Sequence, residues 1–186
     1  VQHRSGVSVL LRPPDPLLVE KLDPDSVARA IATYKVLFDD VIVDTRPSFD
    51  EATLKILDAA DRILLVTTPE LSACHNTARF LGIAESLGYS HKLTLIVNRA
   101  NSGIDMEALQ ETLGMTVSAK IVSAGRIVVD AASQGIPLFL KDPDLDMQIT
   151  KDLAHLVEIV AGKELPSRPQ SKILSKARFP FFGRRG

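Results

Sequence analysis

Short apolar runs alternate with amphipathic helical patterns along most of this chain, and that alternation constrains its fold more than any single motif. The apolar runs are Val7–Leu11, Val41–Asp44 (VIVD), Arg62–Thr67 (RILLVT), Leu93–Asn98 (LTLIVN) and Val117–Val122. VIVD is β-branched throughout its apolar part, the type expected of a strand buried on both faces. Between the runs lie predicted helices. Asp23-Pro24 opens one as N-cap and first turn, with Val27, Ile31, Tyr34 and Phe38 on one face. Ser48 and Glu51 form an S-x-x-E capping box for a second, reaching about Ala60. A third runs from about Glu70 to Leu87 with Leu71, Cys74, Ala78, Leu81 and Ala84 on its apolar stripe and Gly88 closing it. Others are expected near Asp105–Leu113, Arg126–Gln134 and Leu145–Ala161. Strands and helices alternating at this spacing build βαβ units with right-handed crossovers. The expected fold class is therefore α/β, a three-layer, mostly parallel sheet with helices on both faces.

Composition narrows the function classes. With 45% apolar and 24% charged residues the chain resembles an ordinary globular domain, so disorder is not the default. Cys74 stands alone, which excludes an internal disulfide and a cysteine-based zinc site and fits a reducing compartment. No run approaches ~18 apolar residues and the start lacks a signal-peptide core, so transmembrane and secreted readings drop out. The absence of Trp argues against single-strand nucleic-acid binding by stacking.

In a parallel α/β fold, chemistry sits at the carboxyl ends of the strands. Asp44, at the end of VIVD, is placed where a phosphate-bound Mg²⁺ needs an anionic oxygen; a carboxylate that only caps the following loop is an equal alternative. Asn98, at the end of LTLIVN, offers a donor and an acceptor suited to a purine edge, against the alternative of a turn-forming Asn beside a surface Arg99. The stretch 121–126 (IVSAGR) could wall a base pocket or be a loop. Other signatures fail. There is no G-x-x-x-x-G-K-[ST], no G-x-G-x-x-G, no G-x-S-x-G and no H-E-x-x-H, and His3, His75, His91 and His155 include no pair at ligand spacing.

Taken in order, these motifs resemble the C-terminal two-thirds of the MinD/ParA family of deviant Walker P-loop ATPases. The similarity spans Tyr34 to Leu140. D-T-R-P-S-F-D resembles the family's Walker B region, which typically reads D-x-P-P; L-I-V-N-R-A-N-S-G and I-V-S-A-G-R-I-V-V-D resemble its adenine-side strand, loop and helix. The D-T-x-P-S-F-D form and the N-R-x-x-S-G loop look most like CpaE/TadZ-type ATPases of type IVb (Tad) pilus assembly. The resemblance implies that Asp44 holds Mg²⁺ through water and that Thr45 to Pro47 sense the γ-phosphate. It further implies that Asn98 bonds adenine, that Arg99 lies over the base, and that Asp130 has no nucleotide role. ATP and Mg²⁺ are the implied ligands, a homodimer the implied assembly, and pilus or secretion machinery the implied partner. Three departures stand out. Arg46 replaces the usual Pro, Val122 and Ala124 replace the Pro and Asp of the I-P-x-D loop, and the deviant Walker A loop is absent. The expectation is a fragment that does not hydrolyse ATP by itself, whereas a full-length protein supplying that loop would. A non-catalytic scaffold and a chromosome or plasmid partitioning ATPase are the alternatives.

The net charge of −1 conceals an asymmetry. Residues 163–186 carry seven basic residues and one acid, net +6, which leaves −7 on residues 1–162. The expected division follows that boundary: an ATPase-domain portion over 1–162 and a flexible basic tail over 163–186. Lys172, Lys176, Arg178, Arg184 and Arg185 alternate there with Ile173, Leu174, Phe179, Phe181 and Phe182. Such a tail suits an anionic membrane surface and resembles the membrane-reaching tails of MinD relatives, implying a cytoplasmic protein peripheral on the inner face of the cell membrane. A solvated tail, free or facing an acidic partner, is the equal alternative, and DNA ranks lower.

Overall fold

The computed structural model describes residues 1–3, 5–11 and 23–162. The proline cluster at 13–16 and the whole basic tail from 163 onward fall outside them. Among the described residues, strands β1 (Ile63–Thr67), β2 (Leu93–Asn98) and β3 (Val117–Ile121) form a sheet in that order. Strands β2 and β3 run parallel, with Asn98 beside Ile121. Four successive residues of β2, Thr94 to Val97, are buried, the mark of a strand covered on both faces. The chain divides into two compact units, Val1–Leu65 with Phe80–Thr94, and Val66–Arg79 with Leu95–Gly186.

In the first unit, α1 (Pro24–Leu37) packs on α2 (Glu51–Ala59). Asp23 caps α1 as expected, its carboxylate accepting from the N–H groups of Asp25 and Ser26. Lys55 reaches Asp25 at 2.8 Å, joining the two helices, and Lys35 reaches Asp61, just past the end of α2, at 2.7 Å. The core gathers Leu57, Ile63, Ala84 and Tyr89 with Leu54, Phe80 and Leu93 against them, and Phe49 stacks on Phe80 at 5.1 Å.

Three expectations are corrected in this unit. Val7–Leu11 is not a strand: Gln2 and Ser8 form an isolated antiparallel bridge around Gly6, and Val7, Leu10 and Leu11 are exposed. Val41–Asp44 is not a strand either; Ile42 is 88% exposed. A β-branched run becomes a strand only where a neighbour supplies the ladder, and here no described segment does. The N-cap of α2 is Asp50 rather than Ser48. The Asp50 carboxylate accepts from Thr53 N–H at 2.8 Å, while the Ser48 hydroxyl donates to that same carboxylate.

Tyr89 anchors this core through its hydroxyl, which donates to Asp58 Oδ1 at 2.7 Å. That bond, with burial second, pushes the phenol up to about 12. Because the folded-state value is raised, the stabilisation is present below the ordinary phenol range near pH 10 and is lost as pH rises through about 12. Tyr89→Phe is expected to cost about 1 kcal/mol in urea unfolding at pH 7. The gap to wild type should shrink towards pH 12; a gap independent of pH would exclude the bond as its source.

In the second unit, Ile96, Ala119, Ile121 and Ile149 form the core, with Val128, Leu138 and Leu153 packed on it. Helix α4 (Met106–Leu113) begins at the Asp105 cap and ends at left-handed Gly114, as its sequence predicts. Helix α5 (Arg126–Ser133) follows Gly125, and a short α6 (Leu138–Lys141) was not foreseen. Helix α7 (Gln148–Ala161) starts three residues later than expected, because Leu145 takes φ 57° and Asp142 organises a turn. The Asp142 carboxylate accepts from Asp146 N–H, Met147 N–H and the buried Thr150 hydroxyl. These donors hold it below the usual carboxylate range, the Thr150 bond foremost.

Helix α3 (Leu71–Ser86) contributes residues to both units. Its stripe is corrected at one end: Leu71 is 79% exposed. Cys74 is 2% exposed, and burial pushes its thiol up. No helix among the described residues is long and apolar enough to cross a membrane.

Candidate functional site

The expected nucleotide residues fall on two segments, one in each unit. Asp44, Thr45 and Pro47 belong to the first unit, Asn98 and Arg99 to the second.

The first segment is an exposed stretch without regular structure from Val41 to Pro47. Asp44 makes no hydrogen bond or ion pair among the described residues, so the loop-capping alternative finds no donor there. Thr45 and Pro47 are likewise exposed. Beyond them the chain tightens. Ser48 N–H donates to Arg46 O at 2.8 Å, and the Ser48 hydroxyl reaches Asp50 Oδ2 at 2.5 Å. The Asp50 carboxyl is held down at about 2, first by the Ser48 hydroxyl and then by Thr53 N–H. Among the described residues no three ligating side chains converge on one point. A lone carboxylate suits Mg²⁺, which keeps several waters and takes one or two protein carboxylates beside phosphate oxygens.

The second segment leaves the carboxyl edge of β2. Asn98 Oδ1 accepts from Arg99 N–H at 2.9 Å, and Arg99 adopts φ 56°, so Asn98 helps turn the chain while its amide NH₂ stays available. Arg99 lies 3.9 Å from Glu70. Ala100 N–H then bonds Ile121 O at 3.0 Å, binding the loop to the end of β3.

Asn101 was missed by the sequence reading, and it joins the two strand-end loops. Its Oδ1 accepts from Ser123 N–H at 2.8 Å and its Nδ2 donates to Ser123 O at 3.3 Å. Val122 N–H, in turn, donates to Asp152 Oδ2 of α7 at 2.9 Å. The 122–125 segment is thus fixed although Val122 and Ala124 depart from the I-P-x-D pattern. Two residues after Asn101, Gly103 at φ 88° presses against Pro69, whose carbonyl accepts from Ile104 N–H at 2.7 Å. The available signal was the second Asn of N-R-A-N-S-G, three positions after the first. Asp130 lies 3.8 Å from Arg126 on the surface of α5.

A parallel sheet with helices on both sides and polar groups at the carboxyl ends of β2 and β3 is the architecture of the MinD/ParA P-loop ATPases. The similarities are consistent at sequence and structure level. The septum site-determining protein MinD of Thermotoga maritima is 25% identical over 185 residues, covering 95% of this chain and 67% of its own. MinD of Escherichia coli K12 is 27% identical over 164 residues, 80% of this chain and 59% of its own. Among solved structures, a ParA family ATPase from Chlorobium tepidum superposes with a TM-score of 0.71 at 21% identity, over 76% of this chain and 59% of that one. MinD from Pyrococcus horikoshii, complexed with Mg-ADP, gives 0.66 at 23% identity over 78% and 60%. The chain therefore spans about three-fifths to two-thirds of the length of these four proteins. No family model matches it.

Proposed function

We propose that this chain carries the switch and base-side portion of a MinD/ParA-like ATPase that acts as a nucleotide-dependent localisation factor in type IVb (Tad) pilus assembly. The observation that carries the nucleotide reading is the bonding of Asn101 to Ser123, which fixes both strand-end loops beside an Asn98 amide left free to donate. The pilus assignment is supported by the D-T-x-P-S-F-D form together with N-R-x-x-S-G. These 186 residues carry no G-x-x-x-x-G-K-[ST] phosphate loop of their own.

In this reading Mg²⁺, when bound, neutralises charge building on the phosphates. Asp44 would hold the ion through water, its carboxylate having no partner among the described residues. Asn98 donates to a ring nitrogen of the purine, and Arg99, turned out by its left-handed backbone, covers the base. Thr45 and Pro47 form the segment whose position reports the terminal phosphate. The full protein would cycle as a homodimer at the cytoplasmic face of the membrane.

A second reading is favoured by the similarity to the septum site-determining proteins of Thermotoga maritima and Escherichia coli: a septum-site determinant like MinD. Gene disruption separates them. Loss of surface pili with normal septa supports the pilus reading, whereas misplaced septa with normal pili overturns it. A coding sequence without a K-G-G-x-G-K-[ST]-like loop upstream of Val1 would instead support a non-catalytic scaffold.

The tail residues Lys172 to Arg185 are proposed as the membrane address. In co-sedimentation of the full-length protein with phosphatidylglycerol vesicles, Phe181→Ser/Phe182→Ser is expected to lower partitioning at least tenfold, roughly the loss of two inserted aromatic side chains. Unchanged partitioning that vanishes at 1 M salt would leave only electrostatic attachment.

A further inference from the structure

Segment 122–125 joins β3 to α5, and its own residues do little to fix its path. Gly125 takes φ 50°, a region that favours glycine, so the backbone is least constrained there. At the position where the resemblance expects Pro, the chain has Val122. A proline ring would lock φ and remove the N–H, whereas Val122 keeps its backbone freedom and a donor that, on a half-buried residue, needs an acceptor. That acceptor comes from α7. Val122 N–H donates to Asp152 Oδ2 at 2.9 Å, across 30 residues of sequence. The carboxylate is itself held, because Gln148 Nε2, one turn earlier on α7, donates to Oδ1 at 2.7 Å. Both oxygens are engaged, and a charged acceptor makes the stronger bond. The helix behind it is anchored too: Leu153 and Leu156 pack on the core of Ile96, Ala119, Ile121 and Ile149.

We infer that Asp152 is a positioning residue: it fixes the start of segment 122–125 in place of a proline ring, so that Ser123 N–H meets Asn101 Oδ1 at 2.8 Å. The two devices exclude each other, since a proline at 122 has no N–H for the carboxylate to accept. Ring and carboxylate are therefore alternatives for one task, and the carboxylate matters only while residue 122 has a donor. This assignment deepens the nucleotide reading above, in which the segment borders the base, and rests on it for the ligand half of its test alone.

The test is a double-mutant cycle on the full-length protein with Asp152→Ala, Val122→Pro and the two combined. Hydrogen exchange at the Ser123 amide and binding of fluorescent N-methylanthraniloyl ADP are the readouts, with thermal unfolding as a check on the fold. Asp152→Ala should speed Ser123 exchange and weaken the ADP analogue, each about tenfold, the change expected for one charge-assisted bond. In the Val122→Pro background the same substitution should change both by less than about twofold, because no donor remains to be held. Asp152→Asn keeps an oxygen able to accept from Val122 and should fall between wild type and Asp152→Ala; it takes the place of the alanine variant in the cycle if that one does not fold. Equal effects of Asp152→Ala in both backgrounds, or Ser123 exchange unchanged by it in the wild-type background, overturn the assignment. Ser123 exchange that follows the cycle in a protein that does not bind the ADP analogue overturns the nucleotide reading and supports the positioning role.

Discussion

Asp44→Ala is expected to lower ATP turnover by the full-length protein roughly 100-fold or more, with its urea midpoint and far-UV spectrum unchanged. Losing a group that orients a metal ligand typically costs one to two orders of magnitude, and weaker charge stabilisation of the transition state adds to it. The unchanged fold follows from the structure: the carboxylate is exposed and has no partner among the described residues, so nothing is orphaned when it goes. Few aspartates allow so clean a separation of function from stability; Asp142, buried and accepting three hydrogen bonds, would not. Asp44→Asn keeps the shape but removes the charge and should be nearly as slow. Turnover within twofold of wild type for Asp44→Ala would refute the metal role.

Gly103→Ala is expected to be the most destabilising single-methyl addition in the second unit. A Cβ at that position would stand 2.0 Å from the carbonyl oxygen of Pro69, and the backbone there has φ 88°, where side chains are strained in any case. The clash falls on backbone, so no rotamer change relieves it. Moving that carbonyl also breaks its bond from Ile104 N–H. Together, strain and the lost bond amount to about 3 kcal/mol. Gly114 supplies the control, since it has φ 60° and a Cβ there meets nothing within 4 Å. Gly114→Ala should cost only about 1–2 kcal/mol in the same urea titration. Equal costs at the two positions would mean that backbone conformation alone matters and the approach to Pro69 is not held. If the nucleotide reading proposed above holds, Gly103→Ala should also weaken purine binding, because the loop it seats carries Asn98, Arg99 and Asn101.

The parts of this architecture that depend on local pattern were legible from the residues. LTLIVN gave β2 with its true ends, and Asp105 with Gly114 bracketed α4, because caps and turns act within a few residues. What failed depended on partners distant in sequence. VIVD has every local property of a buried strand and lies exposed, since strand formation needs a neighbouring ladder that hydropathy does not report. Leu71 fits the helical stripe by spacing, yet its position at the first turn leaves it uncovered. Ser48 and Asp50 are both good caps, and the choice between them followed from where the helix actually starts. For the candidate site, strand-end logic singled out Asn98, which does close β2, and Asp44, which follows no strand among the described residues. Asn101 escaped it because its role is a bond to Ser123, 22 residues away, and no short motif encodes that distance.

The burial of Cys74 has a practical consequence for every measurement above. It is the sole thiol of these 186 residues, lies almost wholly out of water and is held in its protonated, unreactive form. The chain is therefore silent to maleimides and spin labels as it stands. A cysteine introduced on the exposed stretch near Thr45 and another on the loop near Ser102 would each be the reactive handle, with no native residue to mutate away first. The distance between two such probes, with and without nucleotide, would report directly on whether the stretch near Thr45 responds to nucleotide at all.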